Sequence, residues 1–206
     1  MYLFFDTETT GLPRSWKAPV TDLDNWPRLV QIAWLFYDKN GTKIRGGNFI
    51  ITPEGFTIPT DASRIHGITT ERAREEGVTL EHALREFERN VTEATYLVAH
   101  NISFDEKIVG AEFLRKNIAN DMSTKKKICT MESSTDFCAI DGPYGYKWPK
   151  LQELHNKLFG VGFTEAHNAA ADIAATAACF WEMKKRGMFK EQTPKITPGT
   201  NQSLFD

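Results

Sequence analysis

An α/β fold, strands followed by alternating helices and strands, is predicted by three observations. The apolar run that opens at Phe4-Phe5 and the longer one at Leu29–Tyr37 both read as buried strands. Asn40-Gly41 between apolar segments is a hairpin signal, so Lys43 to Ile51 should return antiparallel. Beyond that hairpin, segments with apolar residues at helical spacing alternate with short apolar runs, the pattern of strands joined by helices. A chain of 206 residues is long enough for one well-buried domain, here placed at 1–189, with 190–206 as a polar, proline-containing tail.

Taken in order, the first strand breaks at Gly11 and Pro13, and Pro13 to Pro27 follows as a long connection holding Arg14, Trp16, Lys17 and Trp26. Connections of that length are often functional; its tryptophans either touch a ligand or pack over the core. Ser63 to Thr69 reads as irregular, Thr70 starts a short helix, and Thr79 starts a longer one carrying Leu80, Ala83, Leu84, Phe87 and Val91. Tyr96–Ala99 is a short strand ending at His100-Asn101. Ser103-Phe104-Asp105-Glu106 has the form of a capping box, so a helix should open there. Ile128–Met131 is a fifth strand, and Ala139 to Pro149 is a loop with Tyr144, Tyr146, Lys147 and Trp148. That loop is either a stacking platform for bases or a packed aromatic turn. Leu151, Leu154, Leu158 and Phe159 mark a helix stopped by Gly160, and the alanine-rich stretch around Asp172 marks the last one.

Composition narrows the function classes. Charged residues make up 25% and apolar residues 41%, which suits an ordinary globular protein. No stretch reaches the roughly 20 apolar residues of a membrane span, and Met1 runs into the first strand without a basic leader, so no secretory signal and no membrane partner are expected. Cys129, Cys138 and Cys179 form no C-x-x-C pair, which argues for free thiols in a reducing, cytoplasmic setting and against a zinc site. The formal net charge of −2 gives no global pull toward a polyanion.

The chemistry sits in Asp6-Thr7-Glu8. Alternate residues of a strand share a face, so two carboxylates project together from the mouth of a buried strand. Such a pair is costly unless a cation lies between them. Asp105 at the start of one helix and Asp172 near the start of another are the further acids at special positions.

Asp6-Thr7-Glu8-Thr9-Thr10-Gly11-Leu12, His100-Asn101-Ile102-Ser103-Phe104-Asp105 and His167-Asn168-Ala169-x-x-Asp172 resemble the three motifs of the DEDDh (DnaQ-like) 3′–5′ exonucleases. Ile65-His66-Gly67-Ile68 resembles a further segment of that family. The resemblance implies a ribonuclease H-like fold with a mixed five-stranded sheet. It assigns metal binding to Asp6, Glu8, Asp105 and Asp172 and the general-base role to His167. It also implies that the Thr9–Leu12 backbone grips the terminal nucleotide, that Leu12 and Ile68 wedge against bases and that Phe104 lines the pocket. Asn101 is a further substrate-binding candidate, and His66 and His100 are either structural or adjacent to substrate. All-carboxylate ligation suits two hard divalent cations, Mg²⁺ or Mn²⁺. Arg14, Lys17, Lys147 and Lys150 are candidates for phosphate contacts.

The expected reaction is removal of nucleoside 5′-monophosphates from the 3′ end of single-stranded or frayed DNA, in proofreading or repair. A relative acting on RNA is the enzyme alternative, and a non-catalytic nucleic-acid or clamp-binding module is a distant one. The expected partners are the 3′ end of single-stranded DNA or RNA and a DNA polymerase subunit. Asn201-Gln202-Ser203-Leu204-Phe205 resembles part of a sliding-clamp-binding peptide, making a clamp the remaining candidate partner.

Overall fold

The structure is a computed structural model, and it describes residues 1–163 and 168–189. Its frame is a five-stranded sheet of order β3-β2-β1-β4-β5, built from β1 (Tyr2–Thr9), β2 (Leu29–Tyr37), β3 (Lys43–Ile50), β4 (Tyr96–Ala99) and β5 (Lys126–Cys129). β1 pairs antiparallel with β2 and β2 antiparallel with β3, whereas β4 and β5 run parallel to β1. The mixed five-stranded sheet is the one the sequence leads one to expect.

The hairpin between β2 and β3 turns at Asn40-Gly41, where Asp38 Oδ1 accepts the backbone N–H groups of Asn40 and Thr42 and Gly41 takes φ +88°. Trp34 lies across β3, and a side chain at Gly47 would meet its ring at 2.3 Å. That approach is what requires a glycine in the edge strand.

Helices cover both faces of the sheet. α1 (Thr60–His66), α2 (Thr70–Glu76) and α3 (Leu80–Glu93) precede β4, and α4 (Ile102–Arg115) joins β4 to β5. The short α5 (Thr130–Ser133) and α6 (Thr135–Cys138), a small hairpin of β6 (Asp141–Gly142) and β7 (Gly145–Tyr146), then α7 (Leu151–Phe159) and α8 (Ala169–Lys185) complete the described chain. Phe4 packs on Phe180 of α8, and Phe5 packs on Phe87 of α3. Even-numbered residues of β1 therefore face α8 and odd-numbered ones face α3 and α4, as a period of two requires.

Three local expectations are corrected. Ser63 to Thr69 is not irregular throughout: it holds the end of α1, which buries Ala62 and His66 and stops at Gly67 in the left-handed conformation. Only two residues of that helix are buried, too few to show as periodicity. The Ser103/Glu106 capping box does not form. α4 opens two residues earlier, behind Asn101, and Glu106 pairs with Lys127 instead. β5 is Lys126–Cys129 rather than Ile128–Met131, because its register is set by pairing with Tyr96–Ala99 and Thr130 already starts α5.

The main core joins β1, β2 and β4 to α3, α4 and α8 through Phe4, Phe5, Phe36, Phe87, Phe113 and Phe180, each at most 1% exposed. Cys129, Cys138 and Cys179 are free and buried. Among the described residues no helix is long and apolar enough to cross a membrane.

Candidate active site

Asp6 and Glu8 stand at the carboxyl end of the central strand β1, on its α8 side. Open α/β sheets place their ligands at this end, in the crevice where neighbouring connections diverge. Asp172 comes from the first turn of α8, whose start is fixed by Asn168 accepting the Ala170 N–H at 3.0 Å. One carboxylate oxygen from each of Asp6, Glu8 and Asp172 lies within 4.8 Å of the others. Three acids from two elements far apart in sequence thus meet.

Asp105 arrives from the opposite side. It is buried in the first turn of α4, and the hydroxyl of Thr7, on the other face of β1, donates to its Oδ1 at 2.7 Å. The fourth predicted acid is therefore anchored beside the cluster, outside the group of three whose oxygens lie within 4.8 Å. Thr7 was not singled out in the sequence. Its signal was its parity, since a hydroxyl between two acids on a strand must point to the face they do not.

The electrostatics follow from that crowding. Asp6 is held well above the usual carboxylate range by burial, then by the charges of Asp105, Asp172 and Glu8. Glu8 is pushed up to about 8, by burial first and then by Asp172 and Asp105. Burial lifts Asp105 to about 7, against the opposing hydrogen bond from Thr7. Among the described residues no lysine or arginine forms an ion pair with Asp6, Glu8 or Asp105. An all-oxygen donor set that resists carrying its own negative charge fits a hard divalent cation. Asp6, Glu8 and Asp172 are the residues that could hold one, with Asp105 next to them.

The strand end is shaped by a bulge. Glu8 pairs with Gln31 but Thr9 pairs with Leu29, leaving Val30 as the extra residue. The turn that follows is braced: Thr10 N–H donates to the Arg28 carbonyl, Arg28 N–H donates to Thr10 Oγ1, and Thr9 Oγ1 donates to the Gly11 carbonyl. Gly11 takes φ +147°, a conformation open to glycine, and Leu12 projects with 75% of its surface exposed.

Other predicted residues part ways. Phe104 is half-buried and its ring meets Trp16 at 5.6 Å. Asn101, at φ 73°, caps α4 through its backbone position, with its side chain accepting from Ser103 Oγ. His66 is buried beside the Thr9 backbone, its Nδ1 accepts the Ile68 N–H, and burial lowers its pKa. Ile68 is corrected: only 2% exposed, it sits in a small core with Val30, Ile58, Ala62 and Ala73 and offers no surface to a base. Its apolar character served packing rather than substrate. Lys147 pairs with Glu153 at 2.7 Å, whereas Arg14, Lys17 and Lys150 stay exposed. His100 bridges Thr130 Oγ1 and the Pro149 carbonyl, each at 3.0 Å, and so ties two connections together. His167 and Asn201–Phe205 lie outside the described residues.

Comparison with known proteins places the chain in a family and a fold. The exonuclease family model (RNase_T) matches residues 3–180. The chain is 27% identical over 189 residues to a DNA polymerase III PolC-type of Staphylococcus saprophyticus and 28% identical over 186 residues to one of Staphylococcus aureus. These matches cover 90% and 88% of this chain and 11% of either relative. The chain thus spans about a tenth of the length of these curated relatives. Among solved structures, E. coli exonuclease I bound to a dT13 oligonucleotide superposes with a TM-score of 0.72 at 22% identity, over 90% of this chain and 41% of that one. The zinc-bound E. coli exonuclease I–ssDNA complex gives 0.70 at 24% identity, over 90% and 40%. At these identities the structural likeness speaks to fold, and the matched family model to descent. The chain belongs to the exonuclease family, as a DnaQ-like 3′–5′ exonuclease on the ribonuclease H-like fold.

Proposed function

We propose that the protein removes nucleoside 5′-monophosphates from the 3′ end of single-stranded or frayed DNA, using divalent cations held by its acidic cluster. The observation that carries this reading is the meeting of Asp6, Glu8 and Asp172 within 4.8 Å, at the carboxyl end of the central strand. DNA is favoured over RNA because the polymerase relatives and the exonuclease I complexes are DNA proteins by description.

In this reading Asp6, Glu8 and Asp172 would hold Mg²⁺ or Mn²⁺, with Asp105 completing the acid set. Bound there, divalent ions supply a lowered water pKa and relief of charge at the phosphate. Thr7 keeps Asp105 in place by its 2.7 Å hydrogen bond. His167, by resemblance to the family, takes the proton from the attacking water; an imidazole with an ordinary pKa of ~6.5 suits that task near neutral pH. The braced turn from Thr9 to Gly11 presents backbone groups, Leu12 an exposed apolar side chain and Phe104 a ring, which together suit a terminal nucleotide without reading its base. The relatives' description as DNA polymerase III PolC-type supports a proofreading role, and the Asn201–Phe205 peptide is proposed as a link to a sliding clamp.

The experiment is digestion of single strands labelled at either end, in DNA and RNA forms, with and without Mg²⁺. Release of mononucleotide from the 3′-labelled DNA at once, with the 5′ label shortening stepwise, is expected. Faster turnover of the RNA strand would reassign the substrate, and no metal-dependent release would end the reading.

A further inference from the structure

The connection from Pro13 to Pro27 carries two tryptophans with opposite fates. Trp26 is 3% exposed, and its Nε1 donates to the Pro19 carbonyl at 2.9 Å. Trp16 is 51% exposed. A lone exposed indole on a loose loop would carry no message, but this loop is held rigidly.

Asn25, itself buried, accepts the Ser15 N–H at 2.7 Å and donates to the Ser15 carbonyl at 3.0 Å. Arg14 N–H donates to the Asn25 carbonyl at 3.3 Å. Lys107 of α4 donates to the Trp16 carbonyl at 3.0 Å, with its ammonium over the Trp26 ring at 4.9 Å. Arg115 donates to the carbonyls of Leu23 and Trp26 at 2.6 and 2.8 Å. Both ends of the loop are thus stapled to α4, and Trp16 is the aromatic side chain it leaves exposed. Among the described residues its ring neighbour is Phe104, which immediately precedes Asp105.

We propose that Trp16 stacks on a nucleobase of the strand under digestion, beside the position taken by Phe104, and sets how firmly a single strand is held. An aromatic side chain fixed in place before binding loses little entropy on stacking, and every base offers a π-face. The partner is therefore single-stranded nucleic acid, held without sequence preference. The proposal rests on the exonuclease reading above and deepens it with a specificity-determining residue.

The test compares the wild type with Trp16→Ala and Trp16→Phe in the full chain. Binding of a fluorescent single-stranded thymidylate oligomer is read by anisotropy in EDTA, with strand integrity checked on a gel. Hydrolysis is read on the same oligomer and on the p-nitrophenyl ester of thymidine 5′-monophosphate. Affinity should fall on the order of 10-fold in the Ala variant and recover to within about threefold of wild type in the Phe variant, as expected for one lost stacking contact. kcat on the ester should be unchanged, showing that Asp105 has not moved. Equal affinity of wild type and Ala variant would overturn the proposal, as would a loss of kcat on the ester matching the loss on the oligomer. If the wild type hydrolyses neither substrate, the exonuclease reading fails, while the anisotropy comparison still decides for or against Trp16.

Discussion

Two groups of acids in this protein, one buried and one half-buried, solve the same problem in opposite ways. Glu112 of α4 is fully buried, and its Oε1 meets Arg28 Nε at 2.9 Å, Arg115 Nη1 at 3.0 Å and the Leu29 N–H at 3.0 Å. Its charge is answered by the protein itself, and the pair locks β2 to α4. Asp6 and Glu8, a few residues away along the neighbouring strand, are answered among the described residues by further acids, and burial first, then those acids, drives their pKa values up. The first arrangement stabilises a fold. The second costs stability in the free protein and creates a demand for cations from outside. The proposed division between a structural acid and functional ones thus rests on the charges around them.

The sharpest way to break this comparison is Asp6→Asn. Nucleotide release should fall by at least about 10³-fold, because several kcal/mol of charge stabilisation go with the carboxylate. Thermal stability in metal-free buffer should hold or rise, since one of the repelling charges is gone. A mutant with near-normal turnover would move the reaction elsewhere. The mirror experiment is Glu112→Ala, which leaves two partly buried guanidinium groups without their carboxylate. Urea unfolding should show a loss of about 3 kcal/mol, with the ion affinity of the remaining folded protein unchanged.

His100 adds a third kind of buried titratable group, one kept neutral. Burial lowers its pKa to about 4 from the ordinary 6.5. Between those values the unfolded chain takes up the proton that the folded one refuses, so stability falls as pH drops from about 6.5 to about 4. The contribution is on the order of 3 kcal/mol, and His100→Gln should flatten that part of the stability curve. An unchanged acid slope in the variant would show that other groups set it. The smallest effect is reserved for Thr7→Val. Removing the hydroxyl that steadies Asp105 should lower kcat on the order of 10-fold, while the melting temperature changes little; unchanged kcat would make that bond incidental.

The sequence revealed the strands and most helices because their signals are local: the Asn40-Gly41 turn, the apolar run Leu29–Tyr37, the spacing from Leu80 to Val91. It revealed the paired acids because a two-residue period puts Asp6 and Glu8 on one face. It could not show α1, whose buried face is only Ala62 and His66, nor the true start of α4, where Ser103 bonds to Asn101 rather than capping. Ile68 was misread because an apolar side chain looks the same in sequence whether it meets a base or Val30. Thr7, Glu112 and the stapling of Trp16 depend on partners about ten to a hundred residues away. No local pattern records such partners.

The most direct test of the central claim is titration of the metal-free protein with Mn²⁺, followed by electron paramagnetic resonance, for the wild type, Asp6→Asn and Glu112→Gln. Saturable Mn²⁺ binding by the wild type and by folded Glu112→Gln, weakened at least about tenfold in Asp6→Asn, is the expected result. Equal Mn²⁺ binding by the wild type and Asp6→Asn, or none by either, would contradict it.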